Sequence, residues 1–126
     1  MAPNPVLLLV EDETALREAL GEFLEASGFT VLSAETAEQA RQIAKLQPPD
    51  AVLTDLSLPD LKGDVFLEIF HQEHPHCLLF VHSGDGSFVP SPALQAMGLT
   101  PHSVFFKPTD LGKMASQIRQ TLKIKT

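Results

Sequence analysis

The sequence predicts an α/β fold, a parallel sheet with helices on both faces, and three observations carry that prediction. Strand-like and helix-like hydrophobic patterns alternate along the whole chain, as they do when each strand is followed by a covering helix. The runs Val6–Val10, Ala51–Thr54 and Val104–Phe106 each end abruptly in a charge, the pattern of a buried parallel strand whose carboxyl end opens onto a crevice. Glycine, proline and capping residues punctuate the pattern where each helix should start or stop.

The elements follow in order. Val6–Val10 is the first strand, and Ala15, Leu16, Ala19, Leu20, Phe23 and Leu24 then recur at helical spacing until Gly28, which suits a left-handed cap. Residues 29–33 read as a second strand. Thr36 and Gln39 have capping-box spacing and should open a helix with Ala37, Ala40, Ile43 and Ala44 inward, stopped by Pro48-Pro49. Ala51–Thr54 is the third strand, Val65, Phe66, Ile69 and Phe70 mark the helix after Gly63, and residues 77–81 form the fourth strand. Leu111, Met114, Ala115, Ile118 and Leu122 describe an amphipathic closing helix, with Lys113, Arg119 and Lys123 among its polar positions.

One stretch departs from this regularity. Pro90 and Pro92 lack amide protons and restrict the residues before them, so the helix between strands four and five cannot begin before Pro92. Only about one turn remains before Gly98, and the whole of 83–103 reads as short, loop-rich and mobile.

At 126 residues the chain is one domain, 1–126, long enough for a single core. With 44% hydrophobic and 20% charged residues it lies near globular averages, which argues against disorder. Sixteen acidic against nine basic residues give a formal net charge of −7, which argues against electrostatic capture of nucleic acid or anionic lipid. No apolar stretch approaches the roughly 20 residues that span a bilayer, and Met1-Ala2-Pro3-Asn4-Pro5 lacks a basic secretory start, so the expected location is cytoplasmic. Cys77 stands alone, excludes an intrachain disulfide and reads as a buried strand residue.

The chemistry lies at the strand ends. Glu11 and Asp12 close the first run, Asp55 the third and Lys107 the fifth, so the parallel arrangement should bring them together. Three carboxylates at one edge repel one another unless a cation sits among them, and the cluster therefore implies a hard divalent metal such as Mg²⁺. Asp12, with Glu11 behind it, would hold the ion, and Asp55 could then attack phosphorus to give an acyl phosphate. Ser83 offers a hydroxyl at the fourth strand end, and Lys107 a point charge for phosphoryl oxygens. Taken singly, Glu11-Asp12 would suit a helix N-terminus, Asp55 a cap and Lys107-Pro108 a loop, but independent caps have no reason to fall at three strand ends of one sheet.

With these residues in place, the chain resembles the receiver domain of two-component response regulators over essentially its whole length. The matching pieces are Leu8-Leu9-Val10-Glu11-Asp12-Glu13, Asp55-Leu56-Ser57-Leu58-Pro59-Asp60 closing on Gly63, Val81-His82-Ser83-Gly84, and Phe106-Lys107-Pro108. The resemblance implies a doubly wound, flavodoxin-like sheet of five strands in the order 2-1-3-4-5 with a short or irregular fourth helix; a chemotaxis receiver is the general example of that order. It implies that Asp55 accepts phosphate from a histidine kinase or histidine phosphotransfer protein, with Mg²⁺ on Asp12, Asp55 and the Ser57 carbonyl and with Glu11 acting through water. Ser83 and Lys107 would bind the phosphoryl group, a cis peptide would precede Pro108, and an unidentified protein would receive the signal. The chain would then be a signalling phosphoacceptor with only self-phosphorylation and self-dephosphorylation chemistry, not an enzyme acting on an external substrate.

Three departures from the family pattern bear on output. Val104 stands three residues before the lysine, where many receivers carry a rotating aromatic; Thr109 replaces the aromatic often found after Lys-Pro; and the fourth helix is broken by prolines. Among competing readings, the main one is a receiver cut from a hybrid kinase or larger regulator. A phosphatase with an aspartate nucleophile would want Asp-x-Asp where Glu11-Asp12-Glu13 stands, and a flavodoxin-like cofactor binder would not place those acids where a phosphate must sit. His71, His74 and His76 surround Pro75 at a helix end, where histidine meets the negative dipole, and do not read as a zinc site. His82 is expected at the rim of the active site.

Overall fold

A computed structural model describes residues 3–125. Met1, Ala2 and Thr126, which bear on the reading of the chain's two ends, lie outside the described residues. Five strands, β1 (Val6–Val10), β2 (Thr30–Ala34), β3 (Ala51–Thr54), β4 (Leu78–Ser83) and β5 (Val104–Phe106), form one parallel sheet in the order β2-β1-β3-β4-β5. Helices α1 (Thr14–Ala26), α2 (Ala37–Leu46), α3 (Gly63–Glu73), α4 (Pro92–Ala96) and α5 (Leu111–Lys125) connect and cover it. No described helix is long and apolar enough to cross a membrane.

Because successive strand residues point to opposite faces, the central strands feed two cores. Leu8, Val10, Val52, Leu79 and Val81 pack with Ala40, Phe66, Phe70 and Leu94 from α2, α3 and α4. Leu7, Leu9, Leu53 and Phe80 pack with Leu20, Leu24, Met114 and Ile118 from α1 and α5. Each fully buried Leu or Phe contributes about 1.5–3 kcal/mol relative to exposure, so the two-faced sheet is what makes a chain of this size stable.

The helix ends obey local chemistry. Gly28 (φ 99°) and Gly98 (φ 101°) take the left-handed conformation that ends α1 and α4. In each case the next residue's amide reaches back to the helix, Phe29 to Leu24 O at 3.1 Å and Leu99 to Leu94 O at 2.9 Å. At the start of α2 the Thr36 hydroxyl accepts from the Gln39 amide at 3.0 Å. The reciprocal half of the capping box is displaced by one residue: Gln39 Oε1 accepts from the amide of Glu35, not of Thr36. Ser91 caps α4, with Pro92 at its first position, and the helix is only five residues long.

Several boundaries and faces differ from the sequence expectations. The second strand runs one residue later, through Ala34, and the fourth starts at Leu78 and continues to Ser83. In α3 the core positions are Phe66, Leu67 and Phe70, whereas Val65 is 38% exposed. Val65 and Leu67 lie on different sides of the helix, and it is Leu67 that joins Phe66 and Phe70 in the core cluster against the sheet.

Candidate functional site

The register of the sheet assembles the acidic cluster. Val10 and Thr54 are partners in the adjacent strands β1 and β3, so the residues that follow them, Glu11 and Asp55, emerge side by side. The backbone tightens this edge: Asp55 N donates to Val10 O at 3.1 Å, and Glu11 N donates to Ala34 O at 3.0 Å. One potential ligand oxygen from each of Glu11, Asp12 and Asp55 lies within 4.8 Å of the other two, the only such cluster among the described residues. The histidines around Pro75 form none; the His74 ring instead packs on Phe70 with centroids 4.7 Å apart.

Lys107 enters from the edge strand β5. Ser83 and Phe106 are register partners, and Lys107 N donates to Ser83 O at 2.7 Å, which places the lysine just beyond the end of β4. Its Nζ donates to Asp55 Oδ2 at 3.1 Å and lies 3.5 Å from Glu11 Oε1. Burial opposes the ammonium charge, but the hydrogen bond and charge of Asp55, followed by Glu11, outweigh it and hold the lysine pKa above its ordinary value. The peptide before Pro108 is cis.

Glu11 is only 2% exposed. Burial pushes its pKa up, the Glu13 amide at 3.1 Å and Lys107 pull it down, Asp55 and Asp12 add to the rise, and the net displacement is upward. Three carboxylates facing one ammonium leave negative charge unmatched. All the donors are hard oxygens from short side chains, so the cluster suits Mg²⁺.

The loop after β3 carries Ser57, whose amide donates to Asp55 Oδ1 at 3.3 Å and which bridges to Lys62 across the loop. Gly63 closes this loop with its amide 2.8 Å from Leu56 O, and a Cβ there would collide with the Asp55 carbonyl oxygen and lie 2.7 Å from Leu56 Cα. Only glycine permits that approach. Ser83 is buried at the end of β4, and its hydroxyl accepts from the Asp85 amide at 2.9 Å, leaving its own proton available to donate.

Two features depart from the sequence expectations or add to them. His82 is not at the rim: it is 4% exposed, and neither ring nitrogen has a hydrogen-bond partner among the described residues. Its strand parity matches Phe80, on the face covered by α1 and α5, and burial, then the Lys107 charge, lower its pKa to about 4 despite Asp55. Arg17 is not singled out by any sequence pattern. Its guanidinium donates to Glu11 O at 2.9 Å and Asp12 O at 3.5 Å and pairs with Glu35 at 3.1 Å, so a basic residue braces the acidic loop from α1. The one available signal is its position in the first turns of the helix that follows the acidic pair.

Val104 is 8% exposed and packs in the cluster that holds Leu94 and Leu99. The position where the resemblance would place a movable ring thus holds a small core residue.

The geometry has counterparts among known proteins. The chain is 30% identical over 118 residues to the response regulator protein PilR of Pseudomonas aeruginosa, covering 94% of this chain and 26% of that protein. It is 30% identical over 119 residues to the KDP operon transcriptional regulatory protein KdpE of Escherichia coli, covering 93% and 51%. The photosynthetic apparatus regulatory protein RegA of Cereibacter sphaeroides is 29% identical over 108 residues, covering 86% and 58%. The chain thus spans less than two thirds of each of these relatives. In fold it matches the CheY-like response regulator receiver domain protein of Methanospirillum hungatei JF-1, with a TM-score of 0.86 at 24% identity over 97% of this chain and 96% of that one. The family model of the response regulator receiver domain matches residues 7–119, from β1 through most of α5, and with that span the chain belongs to the response regulator receiver domain family.

Proposed function

We propose that this receiver accepts a phosphoryl group on Asp55 from a phosphohistidine of a histidine kinase or histidine phosphotransfer protein. The observation that carries this reading is the acidic cluster within 4.8 Å, together with the Lys107 ammonium 3.1 Å from Asp55. Asp12, Asp55 and the Ser57 carbonyl would hold Mg²⁺, with Glu11 acting through water. When bound, the ion supplies charge neutralisation at the phosphoryl oxygens.

An Asp55 carboxylate oxygen attacks phosphorus while the P–N bond to the donor imidazole breaks, giving an acyl phosphate and an imidazole that takes up a proton. Lys107 follows the charge from the carboxylate to the phosphoryl oxygens, and Ser83 donates its hydroxyl proton to one of them. The chain performs this chemistry on itself and passes on a changed surface to a downstream protein in the cytoplasm. The relatives' greater length favours a second reading beside this one, in which residues 1–126 serve as the receiver unit of a larger regulator or hybrid kinase.

Mass spectrometry after incubation with acetyl phosphate tests the assignment. One phosphoryl group should appear with Mg²⁺ and not without it, and both Asp55→Asn and Asp12→Ala should abolish it. Normal labelling of the Asp55→Asn protein at another residue would refute the Asp55 role.

A further inference from the structure

The two loops that carry the metal ligands meet a third segment that carries none. Asp60, at the exposed tip of the β3–α3 loop, places Oδ1 3.0 Å from the amide of Ala37 and Oδ2 3.0 Å from the amide of Glu38. Those amides are the first two of α2, and the third, Gln39, is taken by Thr36. The start of α2 is thus capped jointly, one amide from its own chain neighbour and two from a loop more than 20 residues away. Burial raises the Asp60 pKa, but these amide bonds outweigh it and hold the carboxyl below its ordinary value.

The other metal loop reaches the same place. Arg17 binds the carbonyls of Glu11 and Asp12 and pairs with Glu35, the residue just before Thr36, while Glu35 N donates to Gln39 Oε1 at 2.6 Å. Glu11 N is bonded to Ala34 O. Ser57, Pro59 and Asp60 are exposed while Leu58 and Leu61 between and beside them pack against the core, and the Asp60 bonds add a polar link from this loop to α2.

We infer that the Glu35–Glu38 turn is a shared brace for the two metal-bearing loops, and that Asp60 and Arg17 are positioning residues that fix the Ser57 carbonyl and the Glu11-Asp12 backbone for Mg²⁺. This rests on the metal reading above. Linkage then requires the converse: Mg²⁺ must steady the start of α2, although no residue there binds it. A partner that moved the turn would alter the metal site by the same coupling.

NMR titration of the protein with Mg²⁺ alone, combined with amide hydrogen exchange, tests the brace. In the parent, Mg²⁺ should slow exchange at Ala37 and Glu38. Asp60→Ala should weaken Mg²⁺ affinity about tenfold, the lower end of what loss of an orienting partner costs a metal site, and should erase that protection. Asp60→Asn keeps one acceptor and should fall between. Gln42→Gly weakens α2 at an exposed position in its middle, by about 1 kcal/mol, but leaves the turn and its loop links in place, so its Mg²⁺ affinity should stay within about twofold of the parent. Equal weakening by Gln42→Gly and Asp60→Ala would mean that Asp60 acts only by stabilising α2 and would overturn the brace. Parent-like affinity in Asp60→Ala would overturn it too, while leaving the metal reading standing. A parent that bound no Mg²⁺ would instead overturn the metal reading and the brace with it.

Discussion

Lys107 Nζ lies 3.1 Å from Asp55 Oδ2 and 3.5 Å from Glu11 Oε1, so one ammonium joins carboxylates from β3 and β1 to the edge strand β5. In the proposed function the lysine would meet the phosphoryl oxygens, and both carboxylates help to keep it charged. Lys107→Ala should keep the fold, because the side chain fills no core position, and should keep Mg²⁺ binding, because the site becomes more negative. Phosphorylation by acetyl phosphate should slow by on the order of a hundredfold, the usual loss when a charge-stabilising donor is removed. Beryllofluoride, which mimics the acyl phosphate, should give far smaller NMR shifts beyond position 107 than in the parent. Identical shifts would remove Lys107 from the response.

Gly63 tests how tightly the β3–α3 loop is wound. A methyl group there meets backbone on two sides, the Asp55 carbonyl and Leu56 Cα, neither of which can rotate away. Gly63→Ala should therefore destabilise the protein by about 2–3 kcal/mol and displace Asp55, lowering phosphorylation as well as the midpoint of urea unfolding. Parent-like stability would mean that the loop has room the geometry denies.

His82 makes stability depend on pH. Its pKa is lowered from 6.5 to about 4, so between those values the unfolded chain binds a proton that the native state refuses. The native state keeps its full advantage above pH 6.5 and loses it as pH falls toward 4, by on the order of 3 kcal/mol at most. His82→Leu removes the buried ring nitrogens and should flatten that part of the acid limb relative to the parent. Unfolding free energies measured across this range would show parallel curves if the imidazole were already satisfied.

A phosphoryl group on Asp55, as proposed, would find no bulky rotor at Val104. Ser83 is the alternative, since its hydroxyl already accepts from the Asp85 amide and can pull on the loop that follows. Beyond it, α4 is a single short helix behind Pro90. Beryllofluoride should therefore slow hydrogen exchange across residues 84–97 more than in β5. Changes confined to residues 104–107 would place the switch in the strand.

The amino-acid sequence by itself determines which residues stand at the strand ends and where α4 can begin. Charges at the end of apolar runs and prolines without amides act through bonds and near neighbours, so Glu11, Asp12, Asp55, Ser83, Lys107, Pro90 and Pro92 are legible from the order of residues alone. The strand order follows from resemblance, not from periodicity, because a hydrophobic run does not say which run lies beside it. Tertiary packing decides the rest. Val65 and Leu67 are two residues apart on one helix, and only the sheet beneath chooses which is buried. His82 reads as a rim residue because it adjoins Ser83, yet period-two alternation turns it to the α1 and α5 face and into a site without partners among the described residues. Arg17 with Glu35 and Asp60 with Ala37 and Glu38 join residues 18 to 23 positions apart. Polar contacts of that separation leave no periodic trace, since their geometry exists only once the parallel sheet has brought three loops to one edge.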